Sequence, residues 1–319
     1  MNSVNTSQKS KIQAVLNRGG LVEIRPGWYD ITGTLTVPDG TRVFAHGAEF
    51  HFASPYHAVN MGSETVWEGG SFSANLVGDG EHNERSVFNL GRYYQHTPVF
   101  GVRIAGVHLD MAAPWPCAGI WLLGDVSGVE IEGVTFGDSD RLVGVVSSHW
   151  GCRQLSDPTQ GTVHPGNIVI RNIRAGRLTH AMDNEGSIVT LSATTGVEVS
   201  NVRADECWIG LHLSCGDYGF RHAGFEGPPA GVSIRGVDAR GCKLAGALIQ
   251  AKATITGQVV PSMFAIRDSS FTGQGTGEGA VMLVEADGVR LDNCSFLQFP
   301  RMSVGKCRDL VETGCRLVG

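Results

Sequence analysis

The side chains best suited to chemistry lie near the middle of this 319-residue chain, in polar segments that interrupt apolar ones. Three carboxylates and a histidine are the candidate catalytic residues: Asp183, Glu185, Asp217 and His149. A second group is suited to holding a substrate and comprises Trp150, Arg153, His164, Arg177, Glu206, His212, Tyr218 and Arg221. The sequence has no set of Cys and His residues at a familiar metal-site spacing, so we expect neither a metal nor a cofactor.

Hydrolysis of a glycosidic bond is the first reaction that fits these side chains. It needs two carboxyl groups about 5–9.5 Å apart, one on either side of the bond. The candidates are Asp183, Glu185, Glu206 and Asp217. A structural interpretation stays open, because Asp183 and Glu185 would equally suit a turn and Asp217 would suit a loop cap.

β-Elimination is the second reaction that fits. It needs a base near the carbon next to a uronate group and a cation that neutralises the uronate carboxylate. The candidate bases are His149, His164 and Tyr218. The candidate cations are Arg153, Arg177 and Arg221. The residue types alone leave hydrolysis and elimination both open.

The elements that must position these residues are encoded in a nine-residue pattern that recurs along the chain. Its clearest copy is GVEIEGVTF, residues 128–136, and other copies begin at positions 101, 167, 196, 231, 263 and 288. Apolar residues occupy the second and fourth places and, in most copies, the seventh and ninth. Between the two pairs stands Gly, Asn or Asp: Gly106, Gly133, Asn172, Asn201, Gly236, Asp268 and Asn293. Weaker copies at positions 42 and 64 place Gly47 and Gly69 there.

This pattern predicts a strand, a sharp bend and a second strand. Alternation of period two makes one face of a strand apolar. Between the two apolar pairs the alternation slips by one residue, which in a straight strand would turn the second pair outward. A residue that tolerates a left-handed backbone turns a corner at the slip, so both strands face inward. Stacked copies form an all-β fold, a right-handed parallel β-helix of about ten coils. An antiparallel β-sandwich fits less well, because the copies share one phase and lack paired hairpin turns.

A third strand in each coil begins at a glycine, as in GIWLLG at Gly119 and GLHLSCG at Gly210. The residues predicted to face inward are Ile120, Val145, Leu211, Ala247 and Ala280. The predicted outward column is Leu123, Ser148, Thr190, Ser214, Gln250 and Leu283, with Trp121 and His212 one step away. A polar strip flanked by aromatic groups suits a carbohydrate, which offers hydroxyls at its edge and C–H faces for stacking.

Two features at the N-terminus carry a family resemblance. Residues 7–18 are predicted to form an amphipathic helix that covers the open end of the solenoid and stops at Gly19-Gly20. Residues 21–50 then contain a strand, a Pro-Gly-aromatic turn at Pro26-Gly27-Trp28 and a glycine bend. This opening resembles that of pectate-lyase-like β-helix proteins, which include phage tailspikes and polysaccharide depolymerases.

The resemblance implies a short N-terminal cap over residues 1–41, with a helix and leading strands, and a β-helix domain over residues 42–319. It implies a tailspike-like protein that binds an extracellular or capsular bacterial polysaccharide and degrades it as a glycoside hydrolase or lyase. It also implies a homotrimer packed side by side and contacts with other virion proteins. The alternatives are a non-catalytic virion decoration or adhesion protein, and a secreted bacterial lyase or epimerase.

Composition limits the other partners and the location. The net charge is −6 and no basic tract is present, so nucleic acid is not an expected partner. No apolar run approaches the length of a membrane span, so no membrane is expected either. The polar opening MNSVNTSQKSK is not a signal peptide. We therefore expect synthesis in the cytosol and a location on the virion or outside the cell.

Eight cysteines are present and none forms a CxxC pair. Cys294 and Cys315 take inward positions of their copies and are predicted to be small core residues. Cys207 and Cys242 lie at the same distance past the starts of their copies, so they would stack on neighbouring coils. Such a stack would be either a pair of thiols or a disulfide.

Overall fold

The chain folds as a solenoid of parallel strands. The computed structural model describes residues 8–77, 85–92, 97–113, 117–149, 163–178, 186–214, 231–250 and 264–319, without the side chain of residue 149. All pairings between strands in these ranges are parallel, and each strand pairs with its counterpart one coil further along. No helix in these ranges is long and apolar enough to cross a membrane. The predicted right-handed parallel β-helix is confirmed.

Each coil contributes to three faces, named sheets A, B and C in chain order. Several long strands turn a corner and belong to two sheets: β17 (Gly166–Leu178), β19 (Thr195–Cys207), β21 (Val232–Cys242), β25 (Val281–Asp292) and β27 (Ser303–Thr313). The first three run from sheet A into sheet B, and the last two run from sheet C into sheet A.

The remaining strands each lie in one sheet. Sheet A also contains β1 (Leu21–Glu23), β4 (Arg42–Phe44), β7 (Val66–Glu68), β10 (Val99–Phe100), β11 (Arg103–Ala105), β14 (Val126–Glu132) and β23 (Phe264–Arg267). Sheet B also contains β2 (Gly27–Thr32), β5 (Ala48–Ser54), β8 (Ser71–Leu76), β12 (His108–Ala112), β15 (Thr135–Phe136), β24 (Ser270–Gly273), β26 (Ser295–Leu297) and β28 (Arg316–Val318). Sheet C also contains β3 (Leu35–Val37), β6 (His57–Met61), β9 (Arg85–Gly91), β13 (Cys117–Leu123), β16 (Leu142–His149), β18 (Ser187–Ser192), β20 (Ile209–Ser214) and β22 (Ala245–Gln250).

The corner between sheets A and B has the predicted left-handed backbone in nine successive coils, from Gly47 to Asn293. The φ angles at this corner lie between 48° and 81°. They belong to Gly47, Gly69, Gly106, Gly133, Asn172, Asn201, Gly236, Asp268 and Asn293. Asn201 Nδ2 also donates to Asn172 Oδ1 at 3.3 Å, so the asparagines stack along the corner. A residue type with access to positive φ therefore sets the turn between the two sheets.

The core is a set of ladders along the solenoid axis. Ile104, Ile131, Ile170, Val199 and Ile234 pair in register on five successive coils and are all buried. Larger rings fill the first coils, where Phe72 lies 5.0 Å from Phe50 and 4.9 Å from Phe88, centroid to centroid. Burial of these columns holds successive coils together.

Helix α1 (Lys9–Leu16) covers the first coil and is shorter than predicted. Ile12 and Leu16 are buried against the core. The amide of Gln13 donates from Nε2 to the Thr36 carbonyl at 2.7 Å and accepts from the Thr36 N–H at 2.9 Å. This side chain therefore replaces a missing neighbouring strand at the open edge of β3.

The leading strands β1, β2 and β3 pair with β4, β5 and β6 of the next coil. The predicted boundary at residue 41, between the N-terminal cap and the β-helix domain, stays a prediction.

The described cysteines are free thiols. Cys207 and Cys242 are buried with their Sγ atoms 3.3 Å apart, so the predicted stack is confirmed as a thiol contact. The hydrogen bond to Cys242 and burial raise the pKa of Cys207 well above its usual value. Cys294 is buried as predicted, whereas Cys315, in the last coil, is half-buried.

Sheet C corrects the predicted phase. Ile120 pairs with Val146, not Val145, because the register between β13 and β16 shifts at Cys117/Ala118. The same register line continues through Val189, Leu211, Ala247 and Val281. Val145 and Ala280 lie one residue before this line, but both are buried in the core as predicted. The outward column containing Ser214 consists of Ser192, Ser214, Gln250 and Val284. The predicted members Ser148, Thr190 and Leu283 do not belong to it.

Candidate functional site

Sheet C differs from the other two sheets in what covers it. Strands such as β8 in sheet B alternate between exposed and buried residues, as expected when one face meets solvent. Every residue of β9, β13 and β18 is buried, which means that both faces of these strands are shielded. Polar side chains on the outer face of sheet C therefore lie in a protected environment, where hydrogen bonds are stronger than in water.

Two in-register columns of side chains cross this outer face. The first contains Trp121, Ser147, Thr190, His212 and Leu248. The second contains Ser192, Ser214 and Gln250. The serines and the threonine of both columns are at most 4% exposed. We call these two columns the sheet C polar face.

Hydrogen bonds link parts of this face and leave other groups available. Ser192 Oγ and Ser214 Oγ are 2.8 Å apart, and Thr190 Oγ1 donates to the Val143 carbonyl at 3.1 Å. Within the described chain, Ser147 Oγ has no hydrogen-bond partner. A buried hydroxyl without a partner is costly, so it is a natural place for a ligand or water to bind.

His212 is a predicted substrate-binding residue that lies in the first column. Its Nε2 is 3.3 Å from Gln250 Oε1, and because an amide oxygen only accepts, Nε2 carries the proton. Its Nδ1 is then an acceptor, buried and without a partner among the described residues. Burial lowers the pKa of His212, although the hydrogen bond to Gln250 partly opposes this. The ring is therefore neutral at neutral pH and offers one acceptor.

His164 lies just before β17 and is half-buried. Burial lowers its pKa to about 4. A base with so low a pKa takes up protons weakly at neutral pH, so His164 suits hydrogen bonding better than proton abstraction.

Charged side chains line the corner where sheet B meets sheet C. Glu206 Oε1 lies 3.1 Å from Lys243 Nζ and 3.4 Å from Gln274 Nε2. Lys243 Nζ also lies 5.9 Å from the centroid of the Trp208 ring. Arg177 pairs in register with Glu206, but its own partner is Asp138, at 3.6 Å from Nη2 to Oδ2. The predicted binding residues Arg177 and Glu206 thus share this corner but make separate ion pairs.

The structure leaves the other predicted residues untested. Asp183, Glu185, Asp217, Trp150, Arg153, Tyr218 and Arg221 lie outside the described residues. His149 ends β16, where its backbone pairs with Leu123. Of the four carboxylates considered for hydrolysis, Glu206 is described, so the separation of a catalytic pair stays a prediction. Within the described residues, no three His, Cys, Asp or Glu side chains are grouped to hold a metal ion.

Sequence reasoning missed Trp208 and Lys243. Each directly follows a stacked cysteine, Cys207 or Cys242, so equal spacing within the repeat brings the two side chains together. The spacing that predicted the thiol stack therefore also contained the signal for this cation–aromatic pair.

Comparisons with known proteins show the fold. No family model and no curated protein sequence matches the chain. A mutant tailspike protein of E. coli bacteriophage HK620 in complex with pentasaccharide has a TM-score of 0.63 at 10% identity, covering 100% of this chain and 64% of that one. An iota-carrageenase complexed to iota-carrageenan fragments has a TM-score of 0.55 at 12% identity, covering 89% and 54%. An iota-carrageenase from A. fortis has a TM-score of 0.55 at 12% identity, covering 87% and 51%. The chain thus spans about half to two thirds of the length of these β-helix structures.

Proposed function

We propose that the protein binds a polysaccharide along the sheet C polar face and degrades it, as a glycoside hydrolase or as a lyase. The observation that carries this proposal is the pair of buried, in-register polar columns on one outer face of the solenoid. The β-helix proteins of similar fold whose structures contain a pentasaccharide or carrageenan fragments support it. In keeping with the resemblance to tailspikes, we place the protein on a virion or outside the cell.

The polar groups of the face match the needs of a sugar. Each sugar hydroxyl both donates and accepts, and the hydroxyls of Ser192 and Ser214 do the same. His212 Nδ1 adds an acceptor, and the Gln250 amide adds donors. Successive members of a column are one strand spacing apart, about 4.8 Å, so a column of three or four covers two or three sugar rings.

Among the described residues, the corner with Glu206 and Lys243 offers both kinds of charged group that the two reactions need. A carboxylate would serve hydrolysis and a cation would serve elimination of a uronate. The choice between the two reactions rests on the predicted residues Asp183, Glu185, Asp217 and His149.

Binding without cleavage is the second candidate, in the form of a virion decoration or adhesion protein. The observation in its favour is that Glu206 and Arg177 are already engaged, with Lys243 and Asp138 respectively. Side chains held in ion pairs suit a fixed binding surface.

The test is incubation of the protein with acidic and neutral bacterial polysaccharides, recording reducing ends, the ultraviolet absorbance of unsaturated sugar products, and binding. New reducing ends alone indicate a hydrolase, and both signals together indicate a lyase. Binding without either signal indicates the decoration or adhesion protein. We expect Ser214→Val and His212→Ala to weaken binding about five- to tenfold, as for loss of one or two hydrogen bonds.

The matched control is Ser233→Val, the same substitution at an exposed serine of β21 in sheet A. Wild-type affinity and turnover in both sheet C variants would show that the polar face is not the site.

A further inference from the structure

Trp28 on β2 is a large aromatic side chain outside the core. Its side chain is 58% exposed, whereas the neighbouring coils bury Phe50, Trp67 and Phe72 completely or almost completely. It lies on the outer face of sheet B, and this surface shares no residue with the sheet C polar face. A single exposed aromatic ring is common on protein surfaces, so the case for a function rests on how the ring is held and on what lies beside it.

The indole is held in one orientation. One face stacks on His51 of β5, with ring centroids 3.4 Å apart and an interplanar angle of 14°. Its Nε1 donates to Asp30 Oδ1 at 3.0 Å. Because these contacts fix one face and one edge, a ligand that stacks on the ring meets a surface that is already ordered.

Hydrogen-bonding groups continue from Trp28 along the solenoid axis. The register column after Trp28 contains Glu49, Ser71, His108 and Thr135, and all but His108 are exposed. His108 is fixed by Thr135 Oγ1 at 2.8 Å and by Asp110 Oδ2 at 2.9 Å. A polar column beside an exposed ring is the arrangement that a sugar chain needs.

An open groove of about 300 Å³ borders this column at the corner between sheets A and B. Ser71, His108 and Thr135 line it together with His46 and the corner glycines. Its lining residues come from four successive coils, so it extends about 14 Å along the axis, or three strand spacings. That length corresponds to two or three sugar rings.

The charge of this surface selects the ligand. Strands β2, β5, β8, β12 and β15 contain no Lys or Arg, but they contain Asp30, Glu49 and Asp110. The later strands of sheet B do carry arginines, such as Arg203 in β19. An acidic polysaccharide would be repelled by the first five strands, so a neutral sugar fits.

We propose that Trp28 and the column from Glu49 to Thr135 form a second binding site for a neutral oligosaccharide, separate from sheet C. A sugar ring stacks on the open face of the indole, and the next rings extend along the groove. The residues that act are Trp28 as the stacking platform, His51 as its support, and Ser71, His108 and Thr135 as hydrogen-bonding groups. This site does not depend on the function proposed for sheet C.

The test uses neutral hexasaccharides of glucose, galactose, mannose and N-acetylglucosamine, with hexagalacturonate as the acidic comparison. Titrations of ¹⁵N-labelled protein follow the indole N–H signal of Trp28, assigned from its loss in Trp28→Ala. We expect at least one neutral hexasaccharide to shift this signal, and Trp28→Ala to weaken its binding at least tenfold in calorimetry. His51→Ala should weaken binding less, because the platform remains but loses its support.

Two control variants separate this site from other causes. Phe100→Ala removes another exposed aromatic ring, 45% exposed on β10, and should leave binding unchanged. His212→Ala perturbs sheet C and should also leave the Trp28 shift unchanged, so failure of one proposal is distinguishable from failure of the other. The proposal is overturned if no neutral sugar shifts the Trp28 signal, if Trp28→Ala binds normally, or if hexagalacturonate binds as well. A lower oligomer mass for Trp28→Ala would also overturn it, since a second copy would then cover the ring.

Discussion

At the scale of single residues, the corner between sheets A and B depends on one backbone angle. Nine coils place Gly, Asn or Asp at this corner with φ between 48° and 81°. The requirement is local, because it concerns one residue and no distant partner. For that reason the sequence alone was sufficient to predict every one of these corners.

Gly133 provides a direct test of this requirement. Its φ is 64°, and an added Cβ would lie 3.6 Å from Gly106 N, so a side chain fits but the backbone angle disfavours it. We expect Gly133→Ala to lower the free energy of unfolding by about 1–2 kcal/mol, the cost of a left-handed conformation for an L-residue. Urea denaturation followed by circular dichroism measures the change.

Gly133→Asn is the matched variant, because Asn172 occupies the same corner one coil later. Asparagine adopts left-handed angles more readily, so this variant should lose clearly less stability than Gly133→Ala. Equal losses in the two variants would mean that crowding, and not φ, limits the position.

At the scale of elements, sheet C shows what the sequence did not determine. The repeat predicted that a third strand exists in each coil, because apolar alternation and a starting glycine are local signals. It placed Ser148 in the outward column, one residue off, since a register shift near Cys117 depends on how neighbouring strands pair. Leu283 is also one residue off, because Val281 and not Ala280 pairs with Ala247. The burial of His212 also depends on what covers the strand, which no local pattern encodes.

Burial of histidines in and beside sheet C has a consequence for pH dependence. Burial, with Arg92 and Arg85 nearby, lowers the pKa of His57 to about 4 from 6.5. Between these values the unfolded chain binds the extra proton and the folded chain does not, so stability is complete above about pH 6.5 and falls toward pH 4. We expect about 3 kcal/mol of this loss to come from His57, at about 1.4 kcal/mol per pKa unit.

Urea unfolding at several pH values between 7 and 4 measures this effect in the parent and in His57→Gln. Glutamine retains a group that can bond to Ser86, which His57 Nδ1 contacts at 2.9 Å, but it does not titrate. The variant should therefore lose less stability on acidification. His164→Gln should show a similar change, because burial lowers that pKa to about 4 as well. A pH profile parallel to that of the parent in both variants would contradict the prediction.

At the scale of the whole molecule, the solenoid follows from repetition. Each coil buries its apolar face against the next, so the fold could be predicted from strand patterns without any long-range contact information.

The two ends of the solenoid differ, since α1 covers the first coil while Val311, Leu317 and Val318 in the last coil are 39–51% exposed. The outer faces were harder to predict than the core, because polar residues do not reveal their partners. Arg103, for example, lies between Glu68 and Glu132 on neighbouring coils of sheet A.

The association of whole molecules is a prediction that rests on the resemblance to tailspikes and on dimensions. About ten coils at one strand spacing each give a prism about 48 Å long. A contact strip about 17 Å wide along that length would bury about 800 Å² per partner, the amount typical of a stable interface. We therefore expect a side-by-side homotrimer whose contacts leave the Trp28 column on sheet B uncovered. Light scattering on the full chain should give about three times the protomer mass of 33.9 kDa across a range of protein concentrations. A mass of one protomer at every concentration would exclude the trimer, and a twofold mass would replace it with a dimer built on a single long side.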